Sequence, residues 1–455
     1  MNFQDYHSFF FTGIGGTGMS AIAQYLKGEK KQVSGSDRLF ETHTEMLIQK
    51  QFRELGIACF PQDGSGIGKH TDVLVISTAI EESNPEYQKA LHLGIPVVKR
   101  SELLASIANS KKTIAVGGTS GKSTTAAMLF HALQQCSMDC SLITGAGLTE
   151  LQEKGLPGNA WNGKTDWMII EADESDGSIV EYHPEIGVLL NIDRDHKDMD
   201  ELHQLFTTFK RNTRGSFIVN VDNPHSRIHS EDISLDFGSL VQAGVRGKNF
   251  RQSGFDIRFE VGDVSFDVPV IGMHNMENVL AVMAVTRLLN IPDSQVAKAM
   301  QTYRGIYRRT QRVGEQKGIV VVDDFAHNPA EVVAAIKSCQ GVGKRVLAWF
   351  QPHGYGPLRF MHKELSASLS EALRQQDVFL ISDVYYAGGT VDKDIQSEIV
   401  AKEINRNNKS SVYLPSKDQI HQYLINHSKT GDVILLMGAR DPDLGTFARR
   451  ILDGL

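Results

Sequence analysis

The segment with the clearest chemistry reads Gly118-Thr119-Ser120-Gly121-Lys122-Ser123-Thr124-Thr125. An apolar stretch, 113–116, precedes it, and an apolar helical pattern, 126–129, follows it. A strand that enters a glycine turn and then a helix directs backbone N–H groups and the positive helix end toward an anion. Lys122 adds a charge for the outer phosphates, and the Ser123 hydroxyl is a ligand for Mg²⁺. The pattern predicts a nucleoside triphosphate site, shortened relative to the usual loop because Val116 stands where a glycine is expected.

A second glycine loop follows the apolar residues 8–12. Gly13, Gly15 and Gly18 match G-x-G-x-x-G, and Asp37 lies 19 residues after Gly18. Glycines allow a tight turn and a close approach to a pyrophosphate, and an acid at the end of the next strand can bind a ribose hydroxyl. A dinucleotide such as NAD, a UDP-sugar, and a plain turn without a ligand all remain open at this point.

Two polar clusters follow apolar strands in the middle of the chain. Residues 171–176 come after the apolar run 167–170, and residues 191–196 come after 186–190. Carboxylates at the carboxyl edge of a sheet can complete the oxygen shell of Mg²⁺. We expect Glu171, as the first residue after its strand, to share a Mg²⁺ with Ser123, and the second cluster to serve a second Mg²⁺ or a substrate. Solvated acidic loops are the alternative.

Composition limits the class of protein. The chain has 455 residues, 41% hydrophobic and 22% charged, which is typical of a globular protein of about three domains. A formal net charge of −7 argues against a general nucleic-acid role. The four cysteines lack metal-type spacing, which favours buried thiols in a reducing compartment. With neither a signal segment nor an apolar run of about 20 residues, we expect a cytoplasmic protein without membrane contact.

Strands and helices alternate along most of the chain, and this alternation predicts parallel sheets with right-handed crossovers. The alternation of strands and helices is interrupted between residues 230 and 270, where short segments resemble antiparallel strands. We predict an α/β protein of three domains, with boundaries at 1–107, 108–308 and 309–455.

The ordered series of motifs resembles the Mur ligases, ATP-dependent amide-forming enzymes of peptidoglycan synthesis. The resemblance covers almost the whole chain, and the order of its motifs is more specific than any one of them. The motifs that carry it are 11–20, 34–37, 77–80 with 84–86, 118–125, 171–176, 191–196, 272–278, 308–309, 323–329, 350–353 and 383–385.

This resemblance implies a Rossmann-like UDP-binding domain, a central P-loop ATPase-type α/β domain and a C-terminal Rossmann-like domain. It implies that the first loop binds UDP-N-acetylmuramate rather than NAD. It also implies that an amino acid, with L-alanine as the leading candidate, or a short peptide is joined to the muramate carboxylate. The implied UDP-sugar and amine residues are Gly13, Gly15, Gly16, Thr17, Gly18, Met19, Ser36, Asp37, Ser77, His327 and His353.

The resemblance also implies roles for ATP and Mg²⁺. The implied ATP residues are Gly118, Thr119, Ser120, Gly121, Lys122, Ser123, Thr124, Asn275, Asn278, Arg309 and Asp324. The implied metal ligands are Ser123, Glu171 and His196. The implied catalytic residues are Lys122, His196, Arg309 and His327, the last facing the incoming amine as a base.

Two positions depart from the pattern of the alanine-adding branch of the family. Phe325 stands in place of a tyrosine, and Gly354 stands in place of an arginine that would serve the carboxylates at the reaction centre. The recycling branch, which adds a preformed murein tripeptide to UDP-N-acetylmuramate, is therefore the main alternative. An NAD-dependent oxidoreductase would leave Gly118–Ser123 unused, and a non-enzymatic nucleotide-binding protein would not need Glu171 and His196. Oligomeric state is not predicted.

Overall fold

A computed structural model provides the structure of the protein and describes residues 2–41, 45–193, 197–386 and 392–455. The chain forms two compact units. The first consists of Met1–Lys248, Val261–Val264 and Glu277–Ile306, and the second of Asn249–Glu260, Ser265–Met276 and Tyr307–Leu455.

The first unit begins with a five-stranded sheet in the order β3-β2-β1-β4-β5, with all neighbouring strands parallel. Its elements are β1 (Ser8–Thr12), α1 (Thr17–Gly28), β2 (Gln32–Ser36), α2 (Leu47–Glu54), β3 (Ala58–Phe60), β4 (Val73–Ile76), α3 (Pro85–Leu93), β5 (Val97–Lys99) and α4 (Arg100–Asn109), with short 3₁₀ turns at Phe3–Asp5 and Arg38–Glu41. Because β1 lies between β2 and β4, the connections that leave these three strands meet at one edge of the sheet.

A six-stranded sheet follows in the order β11-β10-β6-β9-β7-β8, parallel except for the pair β7–β8. Its elements are β6 (Lys112–Gly117), α5 (Lys122–Gln135), β7 (Ser141–Ile143), α6 (Thr149–Gln152), β8 (Ala160–Trp161), β9 (Trp167–Ala172), β10 (Ile186–Leu189), α7 (Met199–Asn212), β11 (Ser216–Val219) and α8 (Pro224–Arg227), with a 3₁₀ turn at Ser178–Glu181. The glycine loop before α5 therefore leaves an inner strand, between the carboxyl ends of β10 and β9.

A smaller sheet runs β12-β13-β14-β15. This part of the chain contains β12 (Phe237–Gly238), β13 (Val245–Ser253), β14 (Asp256–Val261), β15 (Val264–Val268), α9 (Met273–Leu288) and α10 (Asp293–Met300). Strands β12 and β13 are parallel, so the antiparallel prediction for this region is wrong for that pair. Alternation of exposed and buried residues, as in β14, indicates that one face of the sheet is exposed to solvent, but it does not determine whether neighbouring strands are parallel or antiparallel.

The third large sheet belongs to the second unit and runs β16-β17-β21-β18-β19-β20, with only β16 antiparallel among these described strands. Its elements are β16 (Gln311–Gln316), β17 (Ile319–Asp324), α11 (Pro329–Gln340), β18 (Arg345–Phe350), α12 (Tyr355–Ala372), β19 (Val378–Ile381), α13 (Glu398–Arg406), β20 (Ser410–Tyr413), α14 (Lys417–His427), β21 (Asp432–Met437) and α15 (Leu444–Gly454).

The inner strands are apolar almost throughout because helices cover both faces of these sheets. All five residues of β1 and all six of β21 are buried. Alternate residues of β18 pack into different cores: Val346 and Phe350 on one face, and Leu347 and Trp349 on the other. Two layers of helices thus fix the carboxyl ends of the strands, where the predicted site residues lie.

The strand–helix rhythm predicted from the sequence is confirmed, and the strands expected near residues 8, 113, 167, 186, 216, 320, 345, 378 and 433 are present. All four cysteines are free thiols; Cys140 and Cys339 are buried, as expected, whereas Cys59 and Cys136 are only half-buried. Within the part of the chain that the structure describes, no helix combines the length and apolar character required to cross a bilayer.

Candidate active site

The triphosphate loop connects β6 to α5, as the sequence predicts. Gly121 precedes the helix with a φ of +85°, a conformation that costs little only for glycine. A Cβ atom at this position would lie 3.0 Å from the side-chain oxygen of Asn278. The same oxygen accepts a hydrogen bond of 3.0 Å from the Thr125 hydroxyl on α5. Asn278 therefore supports the loop and its helix from α9.

Lys122, the first residue of α5, turns its ammonium group back into the loop. Nζ donates to the carbonyl of Gly118 at 2.8 Å and to Oε2 of Glu174 at 2.7 Å, and lies 3.9 Å from Asp173. The Lys122 and Glu174 side chains are only 15% and 5% exposed. Burial by itself lowers the pKa of Lys122, but Glu174, Asp173 and Glu171 raise it above its ordinary value. Lys122 is thus a partly buried, charged ammonium group held in place by carboxylates.

Asn191, two residues beyond the end of β10, contacts the other side of the loop. Its Oδ1 accepts from the Ser120 N–H at 2.8 Å and from the Thr119 hydroxyl at 2.9 Å, and its Nδ2 donates to the Ser120 carbonyl at 3.0 Å. The Asn191 carbonyl also accepts from the Thr119 N–H. We expected this cluster to serve a metal or a substrate, but the described contacts of Asn191 are with the loop itself. His196 lies outside the described residues.

Glu171 lies inside β9, in register with Val116, and not directly after the strand as we expected. Its Oε1 accepts from the Gly145 N–H at 2.8 Å and from the Thr144 hydroxyl. Ser123 is 8% exposed at the beginning of α5. Among the described residues, no three His, Cys, Asp or Glu side chains form a metal-binding group. A Mg²⁺ ion bound together with phosphate oxygens needs only one or two protein ligands, which suits a hydroxyl and a carboxylate.

The predicted residues of the first glycine loop come together at the carboxyl edge of the first sheet. Gly13 to Gly18 leave β1, Ser36 ends β2 with Asp37 after it, and Ser77 follows β4. Asp37 accepts hydrogen bonds from the N–H groups of Gly15, at 3.1 Å, and Leu39, at 3.0 Å. A Cβ atom at Gly18 would lie 2.8 Å from Nη1 of Arg100, whose Nη2 is 2.9 Å from Asp176. In this structure Asp37 stabilises the loop, and Arg100 provides a cation beside it.

The segment that begins α9 contains Asn275, which is 3% exposed and donates to the Ile271 carbonyl at 2.7 Å. Between it and Asn278 lies Glu277. Burial, then Asp222 and Asp193, raise the pKa of Glu277 to about 7, although a hydrogen bond with Asn220 opposes the increase. This carboxyl group is therefore partly protonated at neutral pH.

The two arginines before β16 have different surroundings. Arg308, with a φ of +56°, forms a buried ion pair with Asp323 at 2.9 Å and donates to the Gly438 carbonyl at 2.7 Å. The guanidinium of Arg309 lies 5.0 Å from the ring centroid of Phe325. Asp324 accepts from the N–H groups of Thr310 and Ala326, and burial raises its pKa to about 6 although Arg309 lowers it.

His327 and His353, both predicted to face the amine, lie together with ring centroids 5.2 Å apart. Gly354 precedes α12 with a φ of +150°, a backbone conformation that side chains other than glycine rarely adopt. An arginine at this position would therefore require a different backbone. Arg359 is paired with Asp394.

Sequence reasoning missed three residues of the site: Glu174 as the partner of Lys122, Arg100 beside the first loop, and Glu331, whose carboxylate is 3.0 Å from Nδ1 of His327. Glu174 belongs to the quoted acidic cluster, but its spacing does not distinguish it from Asp173. The spacing Asn328-x-x-Glu331 predicts the beginning of a helix, but it gives no signal for the contact between Glu331 and His327.

Comparisons with known proteins agree with this arrangement. The "Mur ligase family, catalytic domain" matches residues 8–112, the "Mur ligase middle domain" residues 116–286, and the "Mur ligase, glutamate ligase domain" residues 308–440. A UDP-N-acetylmuramate–L-alanine ligase from Acaryochloris marina is 33% identical over 96% of this chain and 94% of its own length. A protein with the same name from Pelobacter propionicus is 34% identical over 94% of both chains.

The chain belongs to the Mur ligase family. It is an ATP-dependent ligase with the three domains of that family. Two solved structures share the fold over 98% of both chains: UDP-N-acetylmuramate–alanine ligase from Thermotoga maritima, with a TM-score of 0.79 and 24% identity, and a murein peptide ligase from Psychrobacter arcticus, with a TM-score of 0.67 and 20% identity.

The ion pair of Lys122 predicts a coupled effect on stability. Lys122→Met leaves the Glu174 carboxylate buried without its cation, and we expect a loss of about 3 kcal/mol in the free energy of unfolding. The double variant Lys122→Met/Glu174→Gln should recover most of this loss. Urea unfolding of the wild type, both single variants and the double variant measures the coupling. Strictly additive losses would contradict it.

Asn191→Ala removes three side-chain hydrogen bonds to the loop. We expect a loss of about 2–3 kcal/mol in stability and at least a tenfold weaker affinity for ATP. Calorimetric titration with a non-hydrolysable ATP analogue measures the affinity. Asn212→Ala is the control. Asn212 is the last residue of α7, and its side chain donates one hydrogen bond, to the Val180 carbonyl. Equal ATP affinity in the two variants would contradict the role of Asn191.

The raised pKa of Glu277 predicts pH-dependent stability. Between its ordinary pKa and a pKa of about 7, the folded state binds more protons than the unfolded state, so stability falls as the pH rises through this window. Glu277→Gln should therefore stabilise the protein at pH 8, by at most about 3 kcal/mol, and have little effect near pH 4.5. Thermal unfolding at both pH values measures the difference. An equal gain at both values would rule out this explanation.

Proposed function

We propose that this protein joins the carboxylate of UDP-N-acetylmuramate to the amino group of L-alanine in peptidoglycan synthesis, through an acyl phosphate and with conversion of ATP to ADP and phosphate. The observation that carries the proposal is the identity of 33–34% over at least 94% of the chain with ligases of that name. The triphosphate loop, with the charged and partly buried Lys122 at its centre, supports the same reaction.

The UDP-sugar is proposed to bind the first loop. Glycines at positions 13, 15, 16 and 18 allow the pyrophosphate to approach the backbone, and α1 presents its positive end there. Arg100 adds a charged group at Gly18. The remaining proposed contacts at this edge are Thr17, Met19, Ser36, Asp37 and Ser77.

ATP is proposed to bind the loop from Gly118 to Thr124, with Asn275, Asn278, Arg309 and Asp324 as further contacts. Ser123 and Glu171 offer oxygen ligands to Mg²⁺, and His196 is proposed as a ligand from outside the described residues. When bound, the ion neutralises charge on the transferred phosphoryl group. Lys122 would donate to the same phosphate oxygens and replace its contact with Glu174 by one with a stronger anion.

In the first step of the reaction, a muramate carboxylate oxygen bonds to the γ-phosphorus of ATP while the bond to the β–γ bridging oxygen breaks, and ADP leaves. Lys122 and Arg309 stabilise the charge spread over the phosphoryl oxygens. In the second step, the amine attacks the acyl carbon, the carbon–oxygen bond to phosphate breaks, and one proton is lost from nitrogen. His327 is proposed to accept that proton, with His353 beside it.

We further propose domain boundaries at 107/108 and 308/309, while the matched family segments span residues 8–112, 116–286 and 308–440. A cytoplasmic location is proposed, because UDP-N-acetylmuramate and ATP are both cytoplasmic substrates.

Phosphate release with UDP-N-acetylmuramate, ATP and Mg²⁺ tests the function. The amines to compare are L-alanine, glycine, L-serine and murein tripeptide. We expect the highest kcat/KM with L-alanine and a loss of at least a thousandfold in Lys122→Ala.

Lys112→Ala is the control for that loss, because Lys112 is an exposed residue at the beginning of β6. Turnover of Lys122→Ala at the wild-type rate would contradict the ligase mechanism. A preference for the tripeptide would instead assign the chain to peptidoglycan recycling.

A further inference from the structure

Glu331 is a largely buried carboxylate beside the proposed base. It occupies the third position of α11, and its side chain is 14% exposed, against 19% for His327. Its Oε2 lies 3.0 Å from Nδ1 of His327 and accepts from the His327 N–H at 3.1 Å. One oxygen therefore contacts both the ring and the backbone of the same histidine.

These contacts assign the proton on the imidazole ring. Nδ1 of His327 also lies 3.2 Å from the carbonyl of Phe325. A carbonyl oxygen only accepts hydrogen bonds, and so does an ionised carboxylate. Nδ1 must therefore carry the proton, and in the neutral ring the lone pair is on Nε2.

The charges around this pair keep Glu331 ionised. Burial alone raises the pKa of Glu331, but His327 and then Arg309 lower it to about 2. The other titratable groups near it are Asp324 on β17 and His274 at the beginning of α9, and the His353 ring packs against His327. An ionised carboxylate against Nδ1–H also stabilises the imidazolium that forms when Nε2 takes up a proton.

We propose that Glu331 is a positioning residue that fixes the tautomer and orientation of His327, so that Nε2 accepts the proton of the attacking amine. The amine nitrogen forms its bond to the acyl carbon, its proton passes to Nε2, and phosphate leaves with the electrons of the broken carbon–oxygen bond. This inference rests on the proposed function, and in particular on His327 as the base.

A purely structural role is the competing explanation. The Asn328 side chain accepts from the Glu331 N–H at 2.9 Å, so the two residues also cap α11. Glutamine at position 331 keeps the backbone N–H that Asn328 accepts and an oxygen that can accept from the His327 N–H, but it cannot supply the negative charge. Glu331→Gln therefore separates the two roles.

The experiment compares two amines on Glu331→Gln. Hydroxylamine is largely unprotonated at neutral pH and traps an acyl phosphate without help from a base, whereas L-alanine must lose a proton. We expect kcat with L-alanine to fall by about a hundredfold, while hydroxamate formation and the KM for ATP change less than threefold. The remaining activity with L-alanine should rise with pH up to the pKa of the amine.

Asn328→Ala is the matched control, because it removes the cap but leaves the contact between Glu331 and His327. It should lower the melting temperature and change kcat with L-alanine less than threefold. Equal losses with both amines in Glu331→Gln, or no loss with L-alanine, would overturn the inference. Absence of hydroxamate with the wild type would instead overturn the ligase reaction itself.

A measurement on the wild type does not depend on the folding of any variant. In protein labelled with ¹⁵N-histidine, the ring signals of His327, assigned by their loss in His327→Gln, should show the Nδ1–H tautomer at pH 8. Finding the proton on Nε2 would overturn the inference.

Discussion

The contact between the ammonium of Lys122 and the carboxylate of Glu174 is the interaction on which the central site depends. The loop places Lys122 where few water molecules reach it, which would favour loss of its proton. The neighbouring carboxylates reverse that tendency and keep the group charged. The Lys122 ammonium also fixes the conformation of the loop, because Nζ donates to the carbonyl of Gly118. An incoming phosphate would compete with Glu174 for this ammonium group, whose positive charge is already in place.

Most of the fold follows from the sequence because continuous apolar strands alternate with helical segments, and each glycine loop follows an inner strand. The details that could not be predicted depend on pairing between distant strands. Glu171 falls inside β9 because the strand continues two residues beyond its last isoleucine to pair with β6. Likewise, β12 and β13 pair in parallel, which a short polar pattern does not encode.

In the site, too, features within one continuous segment could be predicted, whereas contacts between distant segments could not. Local spacing predicts Lys122, Ser123 and the first glycine loop, because each lies in one continuous segment. The support for these residues comes from elsewhere in the chain: Asn191 from β10, Asn278 from α9, and Arg100 from α4. Asn191 and Asn278 belong to segments that the sequence singled out, but their contacts with the loop, and any role of Arg100, could not be predicted from local spacing. The backbone at Gly354 is similar, since its φ of +150°, which suits glycine, could not be predicted from the local sequence.

The two consecutive arginines at the beginning of the last family segment are not interchangeable. Both guanidinium groups lie over the Phe325 ring, at 5.5 Å and 5.0 Å from its centroid, but Arg308 also pairs with Asp323 and donates to the carbonyl of Gly438. Arg308 thus has a structural role at the end of the sheet, and Arg309 is the arginine proposed to contact ATP. A change at Arg308 would therefore leave the Asp323 carboxylate buried near the end of β17 without its cation.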